Sequence, residues 1–147
     1  MLKGIPNIIS PEMLKRLCEM GHGDSVVIAD GNFPAETIGK NNIVLRADGH
    51  GTVELLRAVL ELIPLDTLIM QPVALMKISE GDTTAVPIWD SYEKIIAEVD
   101  QRGNKAIKWL ERQDFYGEAS KAYLIIASGE TATYANIILK KGVIVEL

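Results

Sequence analysis

Apolar residues along this chain recur with two spacings, one typical of helices and one typical of buried strands. The helical spacing is clearest over residues 51–63, whose apolar face consists of Leu55, Leu56, Val59, Leu60 and Ile63. Residues 87–100 predict a second helix, whose inward set is Ile88, Tyr92, Ile95, Ile96 and Val99. A shorter helix is predicted over residues 114–122.

Residues 10–21 predict one more helix near the start of the sequence. Ser10 is a good N-cap, Pro11 suits the first helical position, and Gly21 can end the helix. The apolar face of this helix consists of Met13, Leu14, Leu17 and Cys18. We therefore expect Cys18 to be a buried structural thiol.

Short apolar runs bounded by turn residues predict the strands. These runs are residues 25–30, 41–48, 67–78 with an interruption at Pro72, 104–111 and 123–129, and residues 132–147 supply one or two more. Several runs are apolar on both faces, as in a sheet covered by helices on each side. No repeat or linker divides the sequence, so the alternation of strands and helices predicts one α/β domain over residues 1–147, with parallel or mixed pairing.

Composition and charge limit which partners the protein is expected to bind and in which cellular compartment it is expected to lie. The net charge of −5 argues against non-specific binding to nucleic acid or to an anionic membrane. A single cysteine excludes an internal disulfide and fits a reducing compartment. The first ten residues lack the apolar core of a signal peptide, and no stretch approaches the ~18 apolar residues of a membrane span. We therefore expect a cytoplasmic protein with no nucleic-acid or membrane partner.

Common catalytic motifs are missing from the sequence. It contains no G-x-S-x-G, P-loop, C-x-x-C, H-E-x-x-H or G-x-G-x-x-G pattern. His22, Asp24 and Asp30 offer oxygen and nitrogen ligands for a hard cation, but two histidines without a cysteine cluster disfavour a zinc site. The prediction is no metal and no cofactor, which leaves a cofactor-free activity or a binding role.

His22 lies between Gly21 and Gly23, a context that allows two interpretations. In one, His22 is an exposed loop residue or a C-terminal cap of the preceding helix. In the other, the glycines let a ligand approach closely, and the imidazole gives or takes a proton near neutral pH.

Further candidate ligand-binding residues lie at or near the ends of the predicted strands. Each of them also has an alternative, purely structural interpretation. Asp30 ends the strand over residues 25–30, where ligands bind in α/β sheets, or it forms the turn that follows. Arg112 stands at the end of a strand and suits neighbouring hydroxyls, or it forms a surface ion pair. Tyr134 and Asn136 offer a phenol and an amide typical of polyol recognition, or they belong to an ordinary strand edge.

Several sequence blocks together carry a family resemblance. They are "IISPEMLKRLCEMGHGD", "ADGNFPA", "RADG", "EGDT", "FY" followed by "GE" and "KA", and "YANIILKKGV". The chain resembles, nearly end to end, the fucose mutarotase (FucU) family of the wider RbsD/FucU group. The resemblance implies a three-layer α/β/α RbsD-like fold with a central mixed or mostly parallel sheet. It also implies that His22 is the catalytic proton donor and that Asp30, Arg112, Tyr134, Ala135 and Asn136 bind the sugar.

The activity implied by the resemblance is isomerisation between the α and β anomers of L-fucose, without metal or nucleotide. It implies a monosaccharide ligand and ring-like homo-oligomers, a decameric ring among them, with a neighbouring subunit completing the sugar site. A ribose pyranase-like activity, a non-catalytic sugar-binding subunit of an uptake system and a structural assembly protein remain alternatives. Ribose-type members carry histidine where this chain has Arg112, and FucU-like members carry histidine where it has Asn32.

These interpretations share one geometric expectation. The imidazole of His22 should lie in an open corner and face a cleft that also contains Asp30 and residues 134–136.

Overall fold

Five α-helices, one 3₁₀ helix (Gly103–Ala106) and six strands follow one another along the chain in this computed structural model, which describes residues 1–146. The helices are α1 (Pro11–Glu19), α2 (Ala35–Ile38), α3 (Thr52–Leu60), α4 (Ile88–Val99) and α5 (Arg112–Ala119). The strands are β1 (Ser25–Ala29), β2 (Ile43–Ala47), β3 (Val73–Met76), β4 (Ile107–Leu110), β5 (Leu124–Ser128) and β6 (Ile137–Lys140). Within residues 1–146, no helix has the length and apolar character needed to cross a bilayer.

The strands form one mixed sheet in the order β2-β5-β1-β6-β3-β4. β1 pairs in parallel with β5, which pairs in parallel with β2, and β3 pairs in parallel with β4. β6 lies between β1 and β3 and runs antiparallel to both. Five strands therefore end at the same edge, the carboxyl edge, where β6 begins. The predicted mixed, mostly parallel α/β sheet is confirmed.

Alternate residues of each central strand pack into two cores, one on each face of the sheet. In β1, Val26 and Ile28 join the larger core, which also holds buried residues of α1, α3 and α4. Val27 and Ala29 join the smaller core, which includes Phe115 of α5. This is why the central strands read as continuous apolar runs, and it gives the three-layer α/β/α arrangement.

Some predicted boundaries and burials are wrong. Cys18 is exposed because the buried stripe of α1 runs through Met13 and Leu17, and a residue next to Leu17 is turned about 100° around the helix. Val99, in the last turn of α4, is also exposed.

The ends of several predicted strands also differ. Residues 67–72 lie outside β3, although several are apolar. Residues 132–147 supply one strand, β6, and their last residue, Leu147, lies outside the described part. Arg112 does not end a strand but begins α5, since β4 stops at Leu110.

Candidate functional site

The carboxyl edge of the sheet brings together residues that are far apart in the sequence. Asp30 follows β1, Arg112 lies just after β4, and Asn136 directly precedes the antiparallel β6. Ligands of open α/β sheets bind at this edge, where the direction of the connections changes. A cleft of ≈ 300 Å³ opens there, lined by Asp30, Asn32, Phe33, Met76, Ser79, Asp82, Thr84, Arg112, Tyr116, Thr133, Tyr134 and Asn136.

Asp30 is the buried carboxylate of this cleft, with 5% of its surface exposed. Its two carboxylate oxygens accept hydrogen bonds from the backbone N–H of Asn32 at 3.0 Å and of Ala135 at 3.2 Å. Its own N–H donates to Oδ1 of Asn136 at 2.8 Å. Burial raises the pKa of Asp30, and the backbone hydrogen bonds oppose that shift. Asp30 therefore both forms the turn that follows β1 and lines the cleft.

Tyr134 stands in the left-handed backbone region, with φ of 56°. Its hydroxyl donates to Oδ2 of Asp82 at 2.6 Å and accepts from the N–H of Ser79 at 3.3 Å. Hydrogen bonds from Thr84 and then from Tyr134 lower the pKa of Asp82. A non-glycine residue at positive φ costs free energy and is held only where its surroundings fix it.

Helix α4 supplies part of that support from behind the cleft. Nε1 of Trp89 donates to the carbonyl oxygen of Tyr134 at 2.9 Å, and the hydroxyl of Tyr92 donates to that of Ala135 at 2.5 Å. The Tyr92 hydroxyl also contacts the hydroxyl of Thr52. Tyr92 is completely buried, and this burial raises the pKa of its phenol. Helix α4 thus fixes the carbonyls of Tyr134 and Ala135, two consecutive residues that are candidates for binding the sugar.

Arg112 is exposed at the rim of the cleft and begins α5. Its Nε donates to the hydroxyl of Tyr116 at 3.3 Å, and its guanidinium carbon lies 5.5 Å from the centre of that ring. Phe33 packs edge-on against the same ring. The alternative of a surface ion pair is not observed, because no carboxylate within residues 1–146 pairs with Arg112.

Asp82 and Tyr116 are cleft residues that the sequence reasoning did not select. Asp82 lies in the loop after β3, and Tyr116 lies one helical turn after Arg112. The quoted "EGDT" and "FY" blocks contained both residues, and the position of each near the end of a strand was the available signal.

His22 lies at the opposite edge of the sheet, before β1. The turn around it is closed by two hydrogen bonds, from the N–H of Gly21 to Oδ2 of Asp24 and from the N–H of Gly23 to the carbonyl of Lys141. Gly23 has φ of 84°, which explains why glycine stands there. The side chain of His22 is 41% exposed, so the imidazole is open as predicted.

The expectation that His22 shares one cleft with Asp30 and residues 134–136 fails within a single chain. At ~3.3 Å per residue, β1 with its flanking residues Asp24 and Asp30 puts the two edges of the sheet roughly 20 Å apart. About the same distance separates Asp30 from His22 and Asp24, the other two residues considered for a hard cation. Among the described residues, no group of three histidine, cysteine or acidic side chains is placed to hold a metal ion.

Instead, His22 contacts a buried carboxylate. Its Nε2 lies 3.1 Å from Oδ1 of Asp66, whose side chain is 5% exposed. Asp66 precedes β3 and therefore belongs to the amino edge of the sheet, as His22 does.

Comparisons with known proteins agree with this fold. Residues 3–144 match the RbsD / FucU transport protein family. A fucose mutarotase of Mus musculus is 47% identical over 96% of this chain and 94% of its own length. The crystal structure of FucU from Bifidobacterium longum is 62% identical with a TM-score of 0.96, covering 97% of this chain and all (100%) of that one.

Two structures of sugar complexes are also similar. The fucose mutarotase from Streptococcus pneumoniae in complex with L-fucose is 46% identical with a TM-score of 0.92, covering 98% of this chain and 100% of that one. RbsD of Bacillus subtilis, complexed with D-ribose, is 21% identical with a TM-score of 0.76 over 99% of this chain and 100% of its own. At that identity the second likeness concerns the fold alone, and it confirms the RbsD-like architecture.

Proposed function

The chain belongs to the RbsD/FucU family, and on this premise we infer that it is an L-fucose mutarotase, an isomerase that interconverts the α and β anomers. The observation that carries this inference is the cleft at the carboxyl edge, where Asp30, Arg112, Tyr134 and Asn136 converge. Relatives named as fucose mutarotases match almost the whole chain, and one of them was solved with L-fucose.

The chemistry of mutarotation fits these side chains. A pyranose changes anomer when its anomeric hydroxyl loses a proton and its ring oxygen gains one. The ring opens to the aldehyde, the carbonyl face turns, and the ring closes again. One acid and one base within hydrogen-bond reach are sufficient, and positioned proton transfer typically contributes ~10²–10⁴-fold.

We assign the roles at the cleft as follows. Asp30 and Arg112 hold the ring hydroxyls, the first as a buried acceptor and the second as a planar donor. The segment of Tyr134, Ala135 and Asn136 orients the sugar through a phenol, a backbone group and an amide. The Tyr134 oxygen keeps acceptor capacity toward the cleft while its proton points to Asp82, so Tyr134 is also a candidate proton relay.

We propose that His22 is the catalytic proton donor and acts on sugar bound by a neighbouring copy of the chain. Within one copy the imidazole and the cleft lie at opposite edges, so a second copy must bring them together. An exposed apolar segment near Asp66 supports such an assembly, since Leu68 and Met70 leave 77% and 85% of their surface exposed. The ring-like homo-oligomer, including a decamer, stays a prediction.

Two further predictions accompany this function. We propose that residues 1–147 form one sugar mutarotase domain, because a single sheet carries both the cleft and His22. We also propose a cytoplasmic location, supported by the single, unpaired cysteine.

The experiment is saturation-transfer NMR on the anomeric protons of L-fucose and D-ribose. We expect the wild-type protein to accelerate exchange of fucose more than that of ribose. His22→Asn should reduce the fucose exchange by ~10²-fold or more, since it removes the titrating group. His50→Asn is the matched control, because His50 is the other histidine of the chain and pairs with Glu54 outside the cleft.

Each other result has a distinct meaning. Wild-type exchange no faster than buffer contradicts an enzymatic function and leaves a sugar-binding role. Faster exchange of ribose than of fucose favours the ribose pyranase-like activity. Unchanged exchange in His22→Asn removes His22 as the acid.

A further inference from the structure

We propose that Asp66 is a positioning residue that fixes the tautomer and orientation of His22, so that Nδ1 is the nitrogen that exchanges a proton with the sugar. The observation behind this is the 3.1 Å contact between His22 Nε2 and Asp66 Oδ1. The inference rests on the proposed mutarotase function, with His22 as its acid.

The backbone of Asp66 is held on both sides, which makes its carboxylate a fixed reference point. Its N–H donates to the carbonyl of Lys140 at 3.0 Å, and its carbonyl accepts from Nη2 of Arg102 at 2.9 Å. Oδ1, the atom that faces His22, also accepts from the N–H of Leu68 at 3.0 Å. The residue is therefore tied to β6, to the segment after α4 and to its own turn.

The charge state of Asp66 decides which atom carries the shared proton. The N–H of Leu68 lowers the pKa of Asp66 most, burial opposes this, and the His22 ring lowers it further. An ionised carboxylate only accepts hydrogen bonds, so in this contact Nε2 of His22 must donate.

That assignment leaves Nδ1 for the reaction. In the neutral ring, a proton on Nε2 gives Nδ1 a free lone pair, and in the cationic ring Nδ1 carries the second proton. Within the described residues Nδ1 has no hydrogen-bond partner, and the side chain is 41% exposed. Carboxylates hold histidines in one tautomer in this way in catalytic triads and at metal sites.

The chain contains a natural counterpart to this pair. His50 also contacts a carboxylate, with Nδ1 at 3.0 Å from Oε1 of Glu54, but the side chain of Glu54 is 50% exposed. Glu54 also accepts from the N–H of Gly51, a role that glutamine can fill. Glu54→Gln is therefore a matched control for Asp66→Asn.

The first measurement needs only the wild-type protein. With two histidines in the chain, ¹⁵N NMR can resolve both rings at a pH where they are neutral. We expect His22 to be the Nε2–H tautomer. If its proton resides on Nδ1, or is divided evenly between the two nitrogens, the proposal is overturned.

The second measurement compares variants by the same NMR and by fucose exchange. In Asp66→Asn, the amide can either donate or accept, so His22 should become a mixture of tautomers. Exchange should fall about 10–100-fold, the range seen when carboxylates that orient ligand histidines are removed. Binding of fucose should be unchanged, because the groups proposed to hold its hydroxyls, Asp30 and Arg112, do not contact Asp66. Glu54→Gln should change neither the His22 tautomer nor the exchange rate.

These outcomes separate the proposal from the function on which it rests. If Asp66→Asn keeps the Nε2–H tautomer or the full exchange rate while His22→Asn is inactive, Asp66 has no positioning role and the function stands. If His22→Asn retains full exchange, the proposed acid is wrong and Asp66 positions nothing in this reaction.

Discussion

The two edges of the sheet each hold a buried aspartate, yet their surroundings shift the two carboxyl groups in opposite directions. At the carboxyl edge, burial is the largest influence on Asp30 and raises its pKa. At the amino edge, the N–H of Leu68 is the largest influence on Asp66 and lowers its pKa. At the carboxyl edge, burial therefore disfavours the charged form of Asp30. At the amino edge, the negative charge of Asp66 is stabilised and lies in contact with the exposed imidazole of His22.

This difference indicates a division of labour. In the proposed assignment, the carboxyl edge gathers sugar-binding groups from three separate segments, whereas the amino edge presents the imidazole of His22 on a tight turn. The proposed proton donor, His22, is absent from the carboxyl edge of its own copy. The proposed site therefore combines two copies of the chain, and changes at the two edges should affect different steps.

The largest effect on the choice of sugar should come from Arg112→His. Imidazole is shorter than guanidinium and lacks its planar fork, so we expect fucose to lose roughly tenfold in kcat/KM, the equivalent of one hydrogen bond to a charged group. The loss for ribose should be smaller, since the family resemblance implies histidine at this position in ribose-type members. Anomeric exchange measured for both sugars gives the ratio.

Arg57→His is the control for that substitution. Arg57 is an exposed arginine paired with Glu98 at 2.8 Å, away from the cleft. A fucose-to-ribose ratio unchanged by Arg112→His, or changed equally by Arg57→His, would contradict a role of Arg112 in choosing the sugar.

A smaller effect is expected behind the cleft, from Tyr92→Phe. The buried carbonyl of Ala135 would lose the hydrogen bond from Tyr92, whereas the hydroxyl of Thr52 would keep its contact with Glu130, and we expect a cost of about 1–3 kcal/mol in the free energy of unfolding. The KM for fucose should rise a few-fold, since Tyr134 and Asn136 flank that carbonyl, and the state of the His22 ring should not change. Denaturant unfolding and exchange kinetics provide the two measurements.

Tyr123→Phe serves for comparison, because its hydroxyl contacts Glu19 at the surface. Surface changes of this kind usually stay within about 0.5 kcal/mol. If Tyr92→Phe costs no more than Tyr123→Phe, the hydrogen bond to Ala135 does not support the cleft.

The central strands were predictable because they are buried on both faces. The runs over residues 25–30 and 123–129 match β1 and β5 to within one residue at each end. Asp30 could be placed at the carboxyl edge for the same reason, since it directly follows such a run. The segment over residues 67–72 misled the prediction because its apolar residues, such as Leu68 and Met70, are exposed.

Pairings across the fold could not be inferred from local patterns. Asp66 lies 44 positions from His22, and Asp82 lies 52 positions from Tyr134. Asp82 and Tyr134 meet because they flank the adjacent strands β3 and β6, and His22 and Asp66 meet because they precede β1 and β3, which lie on either side of β6. The separation of His22 from Asp30 is different, since the predicted strand over residues 25–30 already implied it: at ~3.3 Å per residue its two ends lie roughly 20 Å apart.

The most direct test of the two-copy site is complementation between inactive variants. His22→Asn and Asp30→Asn, each checked for normal folding and assembly, should be nearly inactive alone. When they are co-expressed with different tags and purified through both, random assembly should restore about a quarter of the sites, those with an intact cleft from one copy and an intact imidazole from another. Fucose exchange well above that of either parent is the predicted result. A mixed assembly no more active than its parents would show that the imidazole and the cleft do not meet between copies.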